Sequence, residues 1–76
     1  MKVFVVMIQD RHTDTECEVY EDSGKAISRA LELAERYAHQ PVKNTLNPDW
    51  VKAGCLAHFT YSCESDCTWV MGKEVK

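Results

Sequence analysis

Hydrophobic positions follow three different patterns along the first half of the chain, and each pattern predicts one element. Every residue from Val3 to Ile8 is apolar, which is typical of a strand buried on both faces. We therefore predict a central strand over Lys2–Ile8, followed by a polar loop over residues 9–14. Apolar and polar residues then alternate from Thr15 to Glu21, which predicts a half-exposed strand whose charges suit a sheet edge.

A helical period follows the break at residues 22–24, where Asp22 or Ser23 can serve as the N-cap. We predict a helix from Lys25 to about Gln40, because the residue before Pro41 disfavours helical backbone angles. One apolar stripe recurs at helical spacing and is expected to face the sheet. Its members are Ala26, Ile27, Ala30, Leu31, Ala34, Tyr37 and Ala38.

Residues 41–54 form an irregular connection that contains the signals of a short helical turn. Asn47 can cap this turn, Pro48 fits its first position, and Gly54 fits a left-handed exit. Trp50 lies inside the turn, and we predict that it plugs one end of the core.

Two further strands are predicted over Cys55–Cys63 and Cys67–Val75, joined by the turn Glu64-Ser65-Asp66. A three-residue turn gathers the large apolar side chains of both strands on one face, which we expect under the helix. The resulting cross-strand pairs are Tyr61 with Trp69 and Phe59 with Met71.

The element order is strand, strand, helix, strand, strand. It predicts a single α+β domain over residues 1–76, with a four-stranded antiparallel sheet and one helix packed on one face (β-β-α-β-β). The longest apolar run has six residues, against the ~20 that a membrane-spanning helix needs. No signal peptide is recognised, so we expect a cytoplasmic protein without membrane partners.

Charge narrows the range of partners. Nine basic and twelve acidic residues give a net charge of −3, and no cluster of basic residues suits direct binding to nucleic acid. Acidic residues gather between positions 10 and 22. One interpretation is a partner-binding face, with Glu16, Glu18 and Glu21 contacting a basic protein surface. The alternative is a solvated strand and loop.

Cysteine and histidine residues raise the question of a metal site. The chain has Cys17, Cys55, Cys63 and Cys67, with His12, His39 and His58. A structural zinc site needs two close ligand pairs, and only Cys63 and Cys67 resemble one. We expect no metal and mostly reduced thiols, with a Cys63–Cys67 disulfide across the hairpin as the alternative.

Catalytic chemistry finds little support in the sequence. Asp10, His12 and Asp14 form the densest acid–base group, but they lie in a polar loop. The three glycines are isolated, so no phosphate-binding loop is present. We therefore expect neither an enzyme nor a cofactor, and we keep a minimal enzyme based on His12 only as a contrast.

Two segments, Val5–Asp14 and Tyr61–Val70, resemble small uncharacterised orphan proteins of bacteriophage and actinobacterial genomes, which often have Gly at the position of Ser65. The resemblance implies no particular activity. A phage origin would favour a compact inhibitor that acts on a host defence protein in the host cytoplasm.

The leading functional hypothesis is a small non-enzymatic binding protein that acts by occupying the surface of a partner. The alternative is a small-ligand or nucleotide-sequestering protein whose pocket lies between protomers. One helix covers only one side of the sheet, so we predict a homodimer through the other side. Leu56, His58 and Val70 are its predicted interface residues. The competing explanation is that residues 41–54 wrap over this side, with Leu46 and Trp50 covering it.

Overall fold

The computed structural model of the chain describes residues 1–10, 16–38, 40–61 and 66–75. It consists of a five-stranded antiparallel sheet with one long helix. The α+β class is confirmed, whereas the prediction of four strands is wrong. The sheet order is β2-β1-β5-β4-β3. In chain order the elements are β1 (Lys2–Gln9), β2 (Glu16–Tyr20), α1 (Ser23–Tyr37), β3 (Lys43–Asn44), α2 (Pro48–Lys52), β4 (Cys55–Thr60) and β5 (Cys67–Glu74).

β1 lies between β2 and β5, so its predicted interior position is confirmed, as is the edge position of β2. The two faces of β1 differ in burial. Val6 and Ile8 are 1% and 2% exposed and belong to the core beneath α1. Val3, Val5 and Met7 point to the other face and are half-buried. The apolar run of β1 therefore has one face in the core and one that α1 does not cover.

α1 begins at a side-chain cap and ends earlier than predicted. The Lys25 backbone N–H donates to Asp22 Oδ1 at 3.0 Å, which identifies Asp22 as the N-cap. The helix ends at Tyr37, since Ala38 already has extended backbone angles (φ −73°, ψ 136°). The predicted end, at Gln40 or just before it, is therefore up to three residues too late.

The face of α1 that meets the sheet consists mainly of alanines. Leu31 and Tyr37 are 36% and 38% exposed, so the prediction that they face the sheet is wrong. The buried positions follow the spacing i, i+4, i+7 and i+8, which defines one face of the helix. Leu31 lies next to this face and not on it. The buried residues are Ala26, Ala30, Leu33 and Ala34.

The fifth strand, β3, lies within the segment predicted to be irregular. Lys43 pairs with Thr60 and Asn44 with Phe59, and the Thr45 backbone N–H donates to the His58 carbonyl at 2.9 Å. Two polar residues are too few to show a strand period. For this reason the sequence pattern did not reveal β3.

The pairing of β4 with β5 differs from the predicted register. Phe59 lies opposite Thr68 rather than Met71, so β5 is shifted by three residues (71 − 68 = 3). The Tyr61 backbone N–H donates to the Asp66 carbonyl at 3.2 Å, so Asp66 closes the hairpin instead of forming the turn. Glu64 and Ser65, the other predicted turn residues, lie outside the described residues.

A shift by an odd number of residues exchanges the two faces of β5. Thr68 and Val70 lie under α1 and are 0% exposed, and Thr68 Oγ1 donates to the Ala30 carbonyl at 2.8 Å. Trp69 and Met71 point to the opposite face. The predictions that Trp69 and Met71 pack under the helix, and that Val70 lies on the uncovered side, are therefore wrong.

The short helix α2 has the predicted signals at both ends. Asn47 Oδ1 accepts a hydrogen bond from the Asp49 N–H at 2.8 Å, and Pro48 occupies the first helical turn. Gly54 has φ +101° and so provides the left-handed exit. Its carbonyl accepts from the Gly72 N–H at 2.9 Å, which connects the end of α2 to β5.

We expect Val70→Lys to unfold the domain. An ammonium at this fully buried position has no partner, and such a charge costs several kcal/mol out of the ~5–15 kcal/mol that stabilises a typical domain. Urea unfolding followed by circular dichroism measures the loss. Val75→Lys, at a position that is 47% exposed, is the matched control and should keep the wild-type midpoint. A folded Val70→Lys variant with that midpoint would contradict the β5 register.

Candidate functional site

The sheet face opposite α1 carries two cross-strand rows of mostly apolar side chains, which we call the open face. The register of β2, β1, β5 and β4 defines both rows, and neither contains a formally charged residue at neutral pH when His58 is neutral. The first row is Cys17, Met7, Trp69 and His58. The second row is Val19, Val5, Met71 and Cys55.

Exposure varies across the open face. On β2, Val19 is 61% exposed and Cys17 is also exposed. On β1, Val5 and Met7 are half-buried. On β4, Cys55 is only 3% exposed. The β2 side of the open face is therefore uncovered, and the β4 side is covered.

α2 provides the cover on the β4 side. The Trp50 ring lies against the His58 ring with centroids 4.5 Å apart, and Trp50 itself is 42% exposed. The prediction that Trp50 plugs the core is wrong, because Trp50 lies on the face opposite α1. The competing expectation, that residues 41–54 cover this face, is correct for its β4 side. Leu46, the second predicted cover, is half-buried.

The predicted dimer-interface residues do not share one surface. His58 belongs to the open face, and Leu56 is 36% exposed at the irregular step between Cys55 and Ala57. Val70 lies in the core beneath α1, as described above. Two of the three predicted residues therefore lie outside the core. Val70 is fully buried and cannot contribute to an interface.

A cavity of about 280 Å³ lies between α2 and the sheet. Its wall includes both tryptophans, a methionine, a histidine and two cysteines, and no charged residue is among the described residues that line it. The Gln9 side chain and Ala53 complete the lining. The main lining residues are Trp50, Trp69, Met71, His58, Cys55 and Cys67.

His58 is one of the polar groups of the cavity wall. Its Nδ1 lies 2.6 Å from Thr45 Oγ1, and that hydroxyl also lies 2.8 Å from Thr60 Oγ1. Burial lowers the pKa of His58, which favours a neutral ring at pH 7. Its Nε2 has no hydrogen-bond partner among the described residues, so this nitrogen can bind a ligand.

The two cavity thiols behave as apolar groups. Burial raises the pKa of Cys55 and of Cys67, so both are protonated at neutral pH and poorly nucleophilic. Cys55 Sγ donates to the Ala57 carbonyl at 3.2 Å. Neither thiol carries the charge or the reactivity of a catalytic cysteine.

Cys55 and Cys67 are too far apart to cooperate. Cys55 pairs with Met71, four residues from Cys67 along β5 (71 − 67 = 4), or about 13 Å at ~3.3 Å per residue. That separation excludes a disulfide between them. The predicted alternative disulfide needs Cys63 opposite Cys67, but Cys67 lies opposite Thr60, and Cys63 is outside the described residues. Within the described ranges, no group of three or more potential ligands can hold a metal ion.

The acidic residues whose side chains are described, Glu18 and Glu21, do not form one common face. Glu18 points toward α1, where Arg29 Nε lies 3.0 Å from its carboxylate and the Tyr20 hydroxyl donates to it at 2.6 Å. Glu21 is exposed, and the side chain of Glu16 is outside the described part of the chain. Glu18 therefore serves the protein's own packing, and partner binding by the acidic residues stays a prediction.

The predicted acid–base group falls mostly on residues that the structure does not describe, His12 and Asp14. Its third member, Asp10, accepts a hydrogen bond from the buried Tyr61 hydroxyl at 2.5 Å. Burial and this neighbouring carboxylate raise the pKa of Tyr61 far above its usual range. At the described positions, then, Asp10 fixes a core tyrosine.

Comparison with known proteins gives no relatives: no family model, curated protein or solved structure matches the chain. The resemblance to orphan phage and actinobacterial proteins therefore stays a prediction. No helix in the described ranges is long and apolar enough to span a membrane.

We expect the Glu18–Arg29 pair to give stability that is lost in acid. Hydrogen bonds from Arg29 and Tyr20 lower the pKa of Glu18, so the stabilisation is complete above the unfolded-state pKa of about 4.3. It disappears as the pH falls through the lower folded-state pKa. Glu18→Gln should cost less than ~1 kcal/mol at pH 7, because the pair is partly exposed.

Urea unfolding of the wild type and Glu18→Gln at a series of pH values from neutral to acid measures this difference. The two unfolding free energies should converge as the pH falls. Glu21→Gln, at an exposed position, is the control and should follow the wild type throughout. A difference between wild type and Glu18→Gln that is the same at every pH would contradict the electrostatic assignment.

Proposed function

We propose that the protein is a non-enzymatic binding protein that acts by occupying a protein surface, and that it self-associates through the open face. One observation carries this proposal: two uncharged, mostly apolar rows cross β2, β1, β5 and β4, and α2 covers only the β4 side. The proposal keeps the cytoplasmic location predicted from the sequence. The free thiols of Cys17, Cys55 and Cys67 support a reducing compartment.

Burial of the uncovered side of the open face by a partner would lower the free energy. Val19 is 61% exposed, and its cross-strand neighbour Val5 is only half-buried. Burial of apolar surface is worth about 25 cal/mol per Å², and contiguous exposed apolar patches usually mark interfaces. A protein partner that covers β1 and β2 would gain this free energy.

A second copy of the chain is the occupant that the charges favour. The two rows of the open face carry no formal charge, so two copies can pack row against row without repulsion between like charges, with the exposed Lys73 opposite Val3 at the border of the contact. The two-fold arrangement is therefore sheet on sheet.

The size of the molecule allows such a dimer. It extends 38 × 24 × 19 Å, so a broad side approaches the ~800 Å² that each partner buries in a standard interface. The alternative from the sequence, a nucleotide pocket between protomers, has less support. The cavity lies within one chain, and among its described lining residues there is no Lys or Arg to bind phosphate.

We expect light scattering at micromolar concentration to give twice the chain mass of 8.7 kDa, and Val19→Lys to restore the single-chain mass. A lysine at this exposed position leaves the fold intact but places two like charges in the proposed interface. Leu31→Lys is the matched control, because Leu31 is 36% exposed on α1, on the other side of the sheet. It should remain dimeric.

Two outcomes would count against the dimer. A wild-type protein with the single-chain mass even at near-millimolar concentration would reject a second copy as the occupant. A Val19→Lys variant that stays dimeric would place the interface away from the open face.

A further inference from the structure

We propose that the cavity beneath α2 binds a small, uncharged, planar heteroaromatic ligand. This site goes beyond the proposed protein-binding function, because it lies on the covered β4 side of the open face. The protein contact is centred on the uncovered β1 and β2 side.

The aromatic residues of the cavity form a wedge. His58 and Trp69 are cross-strand neighbours with ring centroids 6.3 Å apart and planes 25° apart, so both present ring surface on the same face of the sheet. Trp50 approaches His58 from α2 with its plane tilted by 43°. Because the Trp50 and His58 rings are already in contact at 4.5 Å, a planar ligand would lie beside that pair and over Trp69. There it gains the offset or edge-to-face contacts that aromatic groups favour at 4.5–7 Å.

α2 contributes to this cavity and not to the main core. None of its residues is buried, yet the Asn47 cap at one end and the Gly54 turn at the other fix its position. Its clearest contact with the sheet is the one between Trp50 and His58. A capped helix without core residues, holding one tryptophan over the sheet, fits the role of a binding-site wall.

Volume and charge define the ligand class. About 280 Å³ is close to the lower limit of ordinary ligand pockets, so the site suits one ring or two fused rings. The described lining has no carboxylate, ammonium or guanidinium, and burial keeps His58 neutral. A charged ligand that moved from water into this site would find no counter-charge among the described lining residues, which is costly. An uncharged ligand has no such cost.

Two polar groups can orient the ligand. His58 Nε2 and the Gln9 side-chain amide have no hydrogen-bond partner among the described residues, and both residues line the cavity. Few polar groups among apolar walls are typical of small-molecule sites, where they fix the orientation of the ligand. A ring nitrogen or a ring N–H is the group that would bind them.

Indole is the probe that tests this site. Two-dimensional ¹H–¹⁵N NMR follows the indole N–H signals of Trp50 and Trp69 during titration, with tetramethylammonium and phenyl phosphate titrated in parallel. We expect saturable shifts of both tryptophan signals with indole alone. Val19→Lys, which is outside the cavity lining, should bind indole like the wild type, so failure of the dimer proposal would leave this result unaffected.

Ala53→Phe fills the cavity from an exposed position, and Val51→Phe places the same side chain on α2 at a residue that does not line the cavity. Ala53→Phe should weaken indole binding by about tenfold or more, a difference of ~1.4 kcal/mol, while Val51→Phe should not change it. Trp50→Ala, at a position that is 42% exposed, should also weaken binding and serves as the second variant if Ala53→Phe does not fold.

Three results would overturn the proposal. Absence of saturable shifts with indole would reject the site. Equal weakening by Ala53→Phe and Val51→Phe, with no effect of Trp50→Ala, would place the binding elsewhere. Tighter binding of tetramethylammonium or phenyl phosphate than of indole would reject the uncharged ligand class.

Discussion

The hydrogen bond from Thr68 to the Ala30 carbonyl connects β5 to α1, and the two faces of the sheet depend on this contact. At 2.8 Å and with Thr68 fully buried, it holds a small side chain between the helix and the sheet. Three of the four buried α1 residues are alanines, so the space above β5 accommodates Thr68 and Val70. A tryptophan in the same place would force the helix away. Trp69 and Met71 therefore face the other side and form the middle of the open face.

Local signals in the sequence predicted most elements, because caps, periodicity and edge charges act within a few residues. The N-cap at Asp22, the Asn47 and Gly54 ends of α2 and the interior position of β1 all depend on such short-range rules. The β4–β5 register does not, since both faces of β5 are largely apolar. The prediction that the face with the larger side chains lies under the helix therefore placed Trp69 in the core, which is wrong. Only the small size of the α1 stripe, a property of another element, argues for Thr68 instead.

The candidate site was predictable only in part, for the same reason. His58 was correctly expected on the side of the sheet that the helix leaves uncovered, and coverage by Trp50 was one of the alternatives for that side. The cavity requires the distance between α2 and β5, which connects residues far apart in sequence. Glu18 shows the opposite error: its charge suggested a partner surface, but Arg29 on the adjacent helix already binds it. Charge alone does not reveal whether a carboxylate has an internal partner.

The small side chains of α1 also connect stability to binding. With alanines against the sheet, the main core receives few large groups from the helix, while Trp50, Trp69 and Met71 gather on the other face. A chain of this size buries only about 60% of its unfolded surface on folding. The open face is therefore a considerable part of the surface that binding can still bury. Any molecule that binds this face only when the chain is folded raises the free energy of unfolding by mass action. Occupation of the open face and stability of the fold are therefore thermodynamically linked, because the same side chains serve both.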